Sequence, residues 1–233
     1  MYHFDLSCNE FRDALSLRYQ RRLLRSPATC DGCGATFSVT HALSCKKGGL
    51  VTRRHNEVRD AVGDLASLVW KDITKEPVVK EANEAVNQAG LIADLGVRGV
   101  WKSQTMALFD IRVMDTDAAS YTSTSVQNTL KRAETLKKGK YNVACEQRRA
   151  TFTPFVVSVD GAFGKEAKTF LKTLSTSLAH IWQSDYSTTY TWVRTRLSFA
   201  ILRATHHCVR GSRTKWRGLG GEGGAFVMAS LSS

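Results

Sequence analysis

The sequence contains no apolar run that approaches the roughly 18 residues of a membrane-spanning helix, so it does not predict a membrane protein. Its first residues lack the cationic start and apolar stretch of a secretory signal peptide, and we therefore expect an intracellular protein. No internal repeat is present. Hydrophobic residues nevertheless make up 42% of the 233 residues, which is enough for a packed core and argues against global disorder.

Acidic residues are scarce relative to basic ones. The chain has 21 Asp and Glu against 33 Lys and Arg, and its formal net charge is +12. The cations cluster at residues 18–25, 131–140 and 210–217. Clustered cations that bind the phosphates of a nucleic acid release its counterions, which favours binding. We therefore predict a nucleic-acid partner. The alternatives are a basic protein with no particular partner and, less favoured because no long basic amphipathic helix stands out, an anionic membrane surface.

Six cysteines in a chain without a secretory signal do not predict a disulfide framework. Four potential metal ligands follow the spacing C-x2-C-x7-H-x3-C: Cys30, Cys33, His41 and Cys45. Two thiolates from one tight turn can bind a zinc ion, and a histidine and a cysteine on one face of a short helix can complete a tetrahedron. The spacing therefore predicts a structural zinc site, with a buried set of unrelated, reduced cysteines as the alternative.

Hydrophobic periodicity predicts an α/β chain in the order helix, three strands, helix, strand and helices. The strands are predicted within residues 73–81, 91–115 and 151–159. The predicted segments are an N-terminal basic helix (1–29), a zinc knuckle (30–50), a core (51–164), C-terminal helices packed on that core (165–212) and a disordered glycine-rich tail (213–233).

Two aspartates interrupt the apolar pattern of the segment 91–115. A hairpin turn near Lys102 places Asp94 opposite Asp110, with Cβ atoms roughly 5 Å apart. The other face of the hairpin is then apolar: Ala93, Leu95, Val97, Phe109, Ile111 and Val113. Two neighbouring carboxylates require a cation, and their hard oxygens suit Mg²⁺. The alternative is a solvated polar face, and a register slip of one residue would separate the pair.

The helices on either side of this hairpin carry further candidates. Glu57 and His55 lie early in the preceding helix, where packing beside the strands would bring Glu57 to the same metal. The following helix contains a cluster of basic and aromatic residues: Lys137, Lys138, Lys140 and Tyr141. A lysine near a bound phosphate can orient an attacking water and offset charge in the transition state.

The order of these motifs resembles a known family. A zinc knuckle, "TRRHNEVRD", "EP", an aspartate strand, "FDIRV" and "KKGKY" follow one another between about residues 30 and 164. This arrangement is similar to the restriction-enzyme-like endonuclease region of site-specific non-LTR retrotransposons, which belongs to the PD-(D/E)xK nucleases. The resemblance implies a restriction-endonuclease-like core with the zinc knuckle before it and helices after it. Ala93 stands where those nucleases often have proline.

The resemblance also implies roles for individual residues. Asp94 is the motif aspartate, and Asp110 is the second carboxylate for Mg²⁺ or Mn²⁺. Arg112 stands where many members have lysine, and arginine is a poor proton shuttle, so the lysine role passes to Lys137. The implied catalytic residues are Asp94, Asp110, Lys137, Glu57, Arg112 and Tyr141. The implied nucleic-acid-binding residues are Arg54, His55, Asn56, Lys138 and Lys140.

The activity that the resemblance implies is metal-dependent nicking of DNA to prime reverse transcription. DNA is then the expected partner, with RNA as an alternative. We expect a protein that is nuclear, or both cytoplasmic and nuclear, and that belongs to a longer polyprotein with a reverse transcriptase. Two other classes remain open. The first is a catalytically inactive nucleic-acid-binding module on the same fold. The second is a zinc-dependent protein-interaction domain whose basic charge is incidental.

Overall fold

The computed structural model describes residues 4–82 and 89–214, which form a mixed α/β fold with six α-helices and a mixed sheet. The helices are α1 (Cys8–Arg18), α2 (Val39–Ser44), α3 (Leu50–Ser67), α4 (Val126–Gln147), α5 (Lys165–Trp182) and α6 (Tyr186–Arg210), with a short 3-10 turn at Lys47–Gly49. The strands are β1 (Ile73–Lys75), β2 (Val78–Lys80), β3 (Leu91–Ile92), β4 (Leu95–Arg98), β5 (Met106–Met114) and β6 (Thr151–Ser158). None of the helices in these described residues is long and apolar enough to span a membrane.

The main sheet has the strand order β1-β4-β5-β6. Strands β1, β4 and β5 are antiparallel neighbours, whereas β5 and β6 run parallel. Helix α4 connects the two parallel strands, because such neighbours require a long crossover. Strands β2 and β3 form a separate two-stranded sheet. The predicted α/β class is thus confirmed.

Strand β5 separates two packed layers because its side chains alternate between the faces of the sheet. Phe109 and Ile111 enter a core that also contains residues of α3, α5 and α6. Leu108 and Met114 pack against residues of α4 on the opposite face. Asp110 has the parity of Leu108 and Met114, and its side chain therefore emerges towards α4.

Two segments that the sequence predicts as continuous strands are interrupted. Residues 73–81 divide into β1 and β2 around Pro77, whose nitrogen cannot donate a ladder hydrogen bond. Residues 91–98 divide into β3 and β4 around Ala93 and Asp94. The two interruptions face each other, because Ala93 N donates to Pro77 O over 3.0 Å. One end of the sheet therefore splits into two ribbons.

This split corrects one side-chain assignment. Five of the six residues predicted for the apolar face line the main core: Leu95, Val97, Phe109, Ile111 and Val113. Ala93 packs instead with Leu108 and Tyr141 on the α4 side. The alternation of side chains restarts at the interruption, so the prediction that Ala93 shares the face of Leu95 is wrong.

The N-terminal helix is shorter than the predicted span 1–29. A capping box of Ser7 and Glu10 begins α1, and the helix ends at Arg18. Gln20 has a φ of 52°, a left-handed conformation that a continuing α-helix excludes. The basic residues that follow Arg18 therefore lie outside the helix.

The segment 30–50, which the sequence predicts as a zinc knuckle, and α1 pack on the C-terminal end of α6. Both guanidinium contacts from Arg210 to the Asp13 carboxylate measure 2.6 Å. Arg213 is buried, and its backbone N–H donates to Asp31 Oδ2 over 2.7 Å. The predicted disordered tail thus begins too early, because Arg213 belongs to the folded chain. Residues 215–233 of that predicted tail lie outside the described residues.

Candidate functional site

An open strand edge positions the first candidate site. Strand β4 pairs with β5 only over Met106–Phe109, although β5 continues to Met114. The pairing places Leu95 opposite Phe109, which is the register predicted for the hairpin. Asp94 departs from that register by one residue, because its N–H donates to Phe109 O over 2.8 Å, so the structure does not pair Asp94 with Asp110 in the ladder. Beyond this point β5 has lost its antiparallel neighbour.

The Asp94 carboxylate accepts a backbone hydrogen bond that a neighbouring strand would otherwise accept. Its Oδ2 accepts the backbone N–H of Ile111 over 2.6 Å, which satisfies a donor of the open edge. Its Oδ1 lies 2.9 Å from His55 Nε2, on helix α3. Asp94 therefore connects α3 to the edge of β5, and its two oxygens have fixed directions.

Asp110 connects the same edge to helix α4. Its Oδ2 lies 2.6 Å from Lys137 Nζ, and the two side chains are 7% and 23% exposed. The same oxygen is buried, and the Lys137 ammonium is its nearest charged neighbour among the described residues. The ion pair with Lys137 is therefore the main compensation for a desolvated carboxylate.

A cleft of about 400 Å³ unites these groups at the split end of the sheet. Its walls come from α3, the Asp94 break, β5 and α4, and consist of Val51, Arg54, His55, Asp94, Asp110, Ile111, Arg112, Val113 and Lys137. The structure thus brings together Asp94, Asp110 and Lys137, the three residues on which the catalytic prediction depends. It adds His55, which the resemblance assigns to nucleic-acid binding, as the direct partner of Asp94.

The donor set of this cleft fits a hard divalent cation. Mg²⁺ commonly takes one or two carboxylates and completes its shell with water and phosphate oxygens. Asp94 and Asp110 supply two carboxylates, and the buried Asp110 Oδ2 has only the Lys137 ammonium as a charged partner among the described residues. Within the described residues, no group of three carboxylate or imidazole ligand atoms is assembled here, so the remaining ligands must come from solvent or substrate.

Glu57 does not reach this cleft, contrary to the prediction. Its carboxylate lies 2.8 Å from Arg53 Nε and 3.1 Å from His207 Nδ1 of α6. Successive helical residues are rotated by about 100°, so Glu57 points roughly 200° away from His55. The carboxylate therefore belongs to the contact between α3 and α6. Asn56 is not among the residues that line the cleft either.

Tyr141 packs between α4, β3 and β6 and is not among the residues that line the cleft. Its hydroxyl donates to Ile92 O over 2.9 Å, and its ring stacks on Phe152 at a centroid distance of 4.6 Å. Burial raises the pKa of Tyr141, and the nearby Asp110 carboxylate raises it further, so the phenol stays protonated at neutral pH. The hydrogen bond to Ile92 O positions β3 against α4, and the catalytic role of Tyr141 stays a prediction.

The other two predicted lysines of α4 lie outside the cleft lining as well. Lys138 Nζ is 2.5 Å from Glu166 Oε1 of α5. Lys140 is exposed, and its Nζ lies 5.2 Å from the centre of the Tyr141 ring. Neighbouring positions on a helix face different directions, so only Lys137 of this basic cluster points to Asp110.

The second candidate site is the cysteine–histidine cluster. The ligand atoms of Cys30, Cys33, His41 and Cys45 all lie within 4.8 Å of one another. Cys33 Sγ is 3.3 Å from His41 Nε2, and Cys45 Sγ is 3.9 Å from both Cys30 Sγ and Cys33 Sγ. Tetrahedral zinc with bonds of about 2.3 Å to sulfur and 2.0 Å to nitrogen requires separations of about 3.8 and 3.6 Å. The cluster can therefore hold a metal such as zinc.

Local backbone geometry prepares this cluster. Gly34 adopts a φ of 75°, and its N–H donates to Cys30 O over 2.8 Å, which closes the turn between the first two ligands. The backbone N–H of Gly32 lowers the pKa of Cys30 to about 6, so this ligand is largely a thiolate at neutral pH. Ser38 caps α2, which carries His41 to the same point. A metal would complete a turn that the chain has already formed.

Comparison of the sequence with protein-family models gave no match, and comparison with curated proteins gave none either. The function of the chain is therefore inferred from the two sites. The cleft combines paired carboxylates with an amine, whereas all four ligand positions of the cysteine–histidine cluster come from the protein. The cleft is the candidate for chemistry, and the cluster is the candidate for structural metal binding.

Proposed function

We propose that the protein is a divalent-metal-dependent DNA endonuclease that nicks one strand by phosphodiester hydrolysis. The observation that carries this proposal is the ion pair of 2.6 Å between Lys137 and Asp110 in a cleft that Asp94 also lines. Two carboxylates can hold a metal ion that assists attack of water on a phosphate, and an amine beside them can offset the charge that develops. We infer that the sheet and its helices form a restriction-endonuclease-like core.

Asp94 and Asp110 would hold Mg²⁺ or Mn²⁺, which when bound polarises the phosphate and activates water. Asp94 is oriented for this role from two sides, by the Ile111 N–H and by His55. His55 is thus a positioning residue that acts through Asp94. Asp110 presents a desolvated oxygen, which strengthens its attraction for a cation.

Lys137 has two successive tasks in this mechanism. Without a cation in the cleft, its ammonium compensates the buried Asp110 carboxylate. With Asp94 and Asp110 holding the cation, the Lys137 ammonium would donate hydrogen bonds to the attacked phosphate. There it would offset the negative charge that develops on the phosphate oxygens and hold the attacking water. Arg112 lines the same cleft and adds a permanent positive charge.

DNA is the proposed substrate because the chain carries a net charge of +12, which favours a polyanionic partner. The cysteine–histidine cluster would bind structural Zn²⁺ and hold the N-terminal segment on α6. With this activity, we expect the protein to act in the nucleus together with a reverse transcriptase. RNA is the alternative substrate for the same cleft.

Nicking of supercoiled plasmid with Mg²⁺ or Mn²⁺ tests the proposal. We expect Asp94→Ala and Asp110→Ala to abolish nicking while DNA binding is retained. Asp72→Ala is the matched control, since Asp72 is an exposed carboxylate of the same region that pairs with Arg98 outside the cleft. If the two cleft variants cut as fast as this control, the site assignment is wrong.

A catalytically inactive nucleic-acid binder is the second candidate function. Arg112 favours it, because arginine stands where many of the resembling nucleases carry lysine. The same plasmid assay separates the two functions. An inactive binder retards the plasmid without nicking it at any Mg²⁺ or Mn²⁺ concentration.

A further inference from the structure

A groove of about 1330 Å³ lies between α1, the segment 19–27, α2, α6 and the turns that follow β5 and β6. It shares no lining residue with the cleft of about 400 Å³ in the described part of the chain. Small-molecule sites usually enclose about 300–1,000 Å³, so this groove has room for a segment of another polypeptide. The proposed endonuclease reaction does not use it.

The floor of the groove is apolar and belongs to a small hydrophobic cluster between the N-terminal segment and α6. Leu43 is buried in that cluster, and Leu17 and Val159 pack against it. Helix α1 extends the apolar surface to solvent, because Phe11 and Leu15 line the groove and are 54% and 41% exposed. These two side chains lie one helical turn apart, which is the spacing at which one helix packs against another. The floor therefore favours a partner with an apolar stripe.

One wall of the groove carries carboxylates without a cationic partner. Asp117 and Asp160 are exposed, and neither forms an ion pair within the described residues. Asp115 is half-buried beside them, where its Oδ1 accepts the Asp117 N–H over 3.1 Å and the buried Arg54 attracts it. Although Asp160 is exposed, partial desolvation and repulsion from Asp117 and Asp115 raise its pKa, which indicates that the three carboxylates lie close together. A cation from a partner would stabilise this wall.

The other wall of the groove carries cations. Arg18, Arg21 and Arg22 line it from the end of α1 and the segment that follows, and all three are exposed. No ion pair joins them to Asp117 or Asp160 among the residues that the structure describes, so the groove keeps the two sets of charges apart. A nucleic acid would satisfy only the arginines, because the carboxylates repel phosphates. A polypeptide that presents cations to one wall and anions to the other satisfies both.

We propose that this groove is the docking site for an amphipathic helix of a protein partner. An apolar stripe of that helix covers Phe11 and Leu15. Its basic flank faces Asp117 and Asp160, and its acidic flank faces the three arginines. A helix fits because α1 is 11 residues long, about 16 Å, and offers side chains at the spacing of helix packing. The interaction does not involve the cleft, so it is independent of whether the protein nicks DNA.

A designed peptide tests the docking site. The probe is a fluorescent helical peptide of about four turns, with a leucine stripe, lysines along one flank and glutamates along the other. It is titrated with the full zinc-loaded protein by anisotropy. We expect Asp117→Asn/Asp160→Asn to weaken binding by about 3- to 10-fold, as expected for the loss of two partly exposed ion pairs. Phe11→Ala/Leu15→Ala should weaken it by about 10-fold or more, since both apolar contacts are lost.

Asp64→Asn/Glu146→Gln is the matched control. It also removes two negative charges, from exposed side chains of α3 and α4 that form no ion pair within the described residues and do not line the groove. The exchanged side chains are all exposed, so every variant should keep the circular dichroism of the wild type. A probe with glutamine in place of lysine should bind the wild type and Asp117→Asn/Asp160→Asn equally, because it has no cation to lose. If the lysine probe binds the two acid double variants with equal affinity, the proposal is overturned.

Two other occupants of the groove give different results. If Arg21→Gln/Arg22→Gln weakens the binding of a fluorescent oligothymidylate and Asp117→Asn/Asp160→Asn leaves the peptide affinity unchanged, the groove binds nucleic acid and the proposal fails. Sedimentation of the protein alone tests for a second copy. A dimer that Phe11→Ala/Leu15→Ala abolishes would place that copy in the groove and also refute the proposal.

Discussion

Replacement of Lys137 by methionine should change the stability of the protein, its affinity for a divalent cation and its nicking rate in different directions. Methionine keeps most of the side-chain length but removes the ammonium that lies 2.6 Å from Asp110 Oδ2. The Asp110 carboxylate then remains buried without a counter-charge. The metal-free variant should be less stable than the wild type, bind a divalent cation more tightly and nick DNA more slowly.

The magnitude follows from the burial of the pair. At 2.6 Å and an effective dielectric constant of about 20, the gross Coulomb attraction is about 6 kcal/mol, most of which is offset by desolvation. Removal of one partner of a buried pair costs about 3–5 kcal/mol, and Lys137 is 23% exposed, so water recovers part of that cost. We therefore expect a loss of about 2–4 kcal/mol in the free energy of unfolding.

Chemical denaturation of the zinc-loaded protein, with and without Mn²⁺, measures this effect. Mn²⁺ should stabilise Lys137→Met more than the wild type, because the cation no longer competes with an ammonium for Asp110. Calorimetric titration of Mn²⁺ should show the tighter binding directly. Plasmid nicking should fall despite the occupied metal site, since the amine that offsets charge on the phosphate is gone.

Lys138→Met is the matched control on the same helix. Lys138 is 41% exposed and pairs with the partly exposed Glu166, so its loss should cost at most about 1 kcal/mol and leave Mn²⁺ binding unchanged. The reasoning is refuted if Lys137→Met has the stability of this control, or if its Mn²⁺ affinity equals that of the wild type.

Three further predictions concern the metal cluster and the start of α5. Cys33→Ser should reduce the zinc content from about one ion per chain to almost none and lower the unfolding midpoint. Zinc titration and circular dichroism measure the two effects. If a metal-free preparation folds like the wild type, the structural role of zinc is wrong. Burial raises the pKa of Glu134, so its contribution to stability is present below the unfolded-state pKa and lost as the pH rises through the folded-state pKa. Glu134→Gln keeps the oxygen that accepts the Glu166 N–H and should remove this pH dependence in urea titrations at pH 5 and 8. Glu134→Ala should lower the free energy of unfolding by about 1–3 kcal/mol at both pH values. If Glu134→Gln keeps the pH profile of the wild type, the assignment to Glu134 is wrong. A Cβ added at Gly164 would lie 2.2 Å from Glu134 Oε1, so Gly164→Ala should cost about 1–3 kcal/mol, with a smaller cost in the Glu134→Ala background; simple additivity of the two changes counts against the contact.

The register of the central hairpin could be predicted because side-chain alternation on two strands leaves few choices. The apolar residues of 91–115 fix which face is buried, and the pairing of Leu95 with Phe109 follows. The break at Asp94 could not be predicted, since it depends on the neighbouring break at Pro77 and on an acceptor for the Ile111 N–H. Ala93 was misassigned for this reason.

The candidate site was predictable in part. Asp94 and Asp110 are predicted from strand parity, which is a local property of the sequence, whereas Lys137 is singled out by the resemblance. Glu57 was misplaced although its helical phase relative to His55 is also local, and that phase directs it away from the sheet. Its true partner, His207, lies 150 positions later in the chain, and no sequence pattern connects the two.

The packing of α1 and of the segment 30–45 against the C-terminal end of α6 has a kinetic consequence. Asp31 and Arg213 are 182 positions apart, and Asp13 and Arg210 are 197 positions apart. Contacts at such separations form slowly, because a long loop must close before they contribute any free energy. The segment around the cysteine–histidine cluster should therefore join the sheet domain late in refolding, after the cleft has formed.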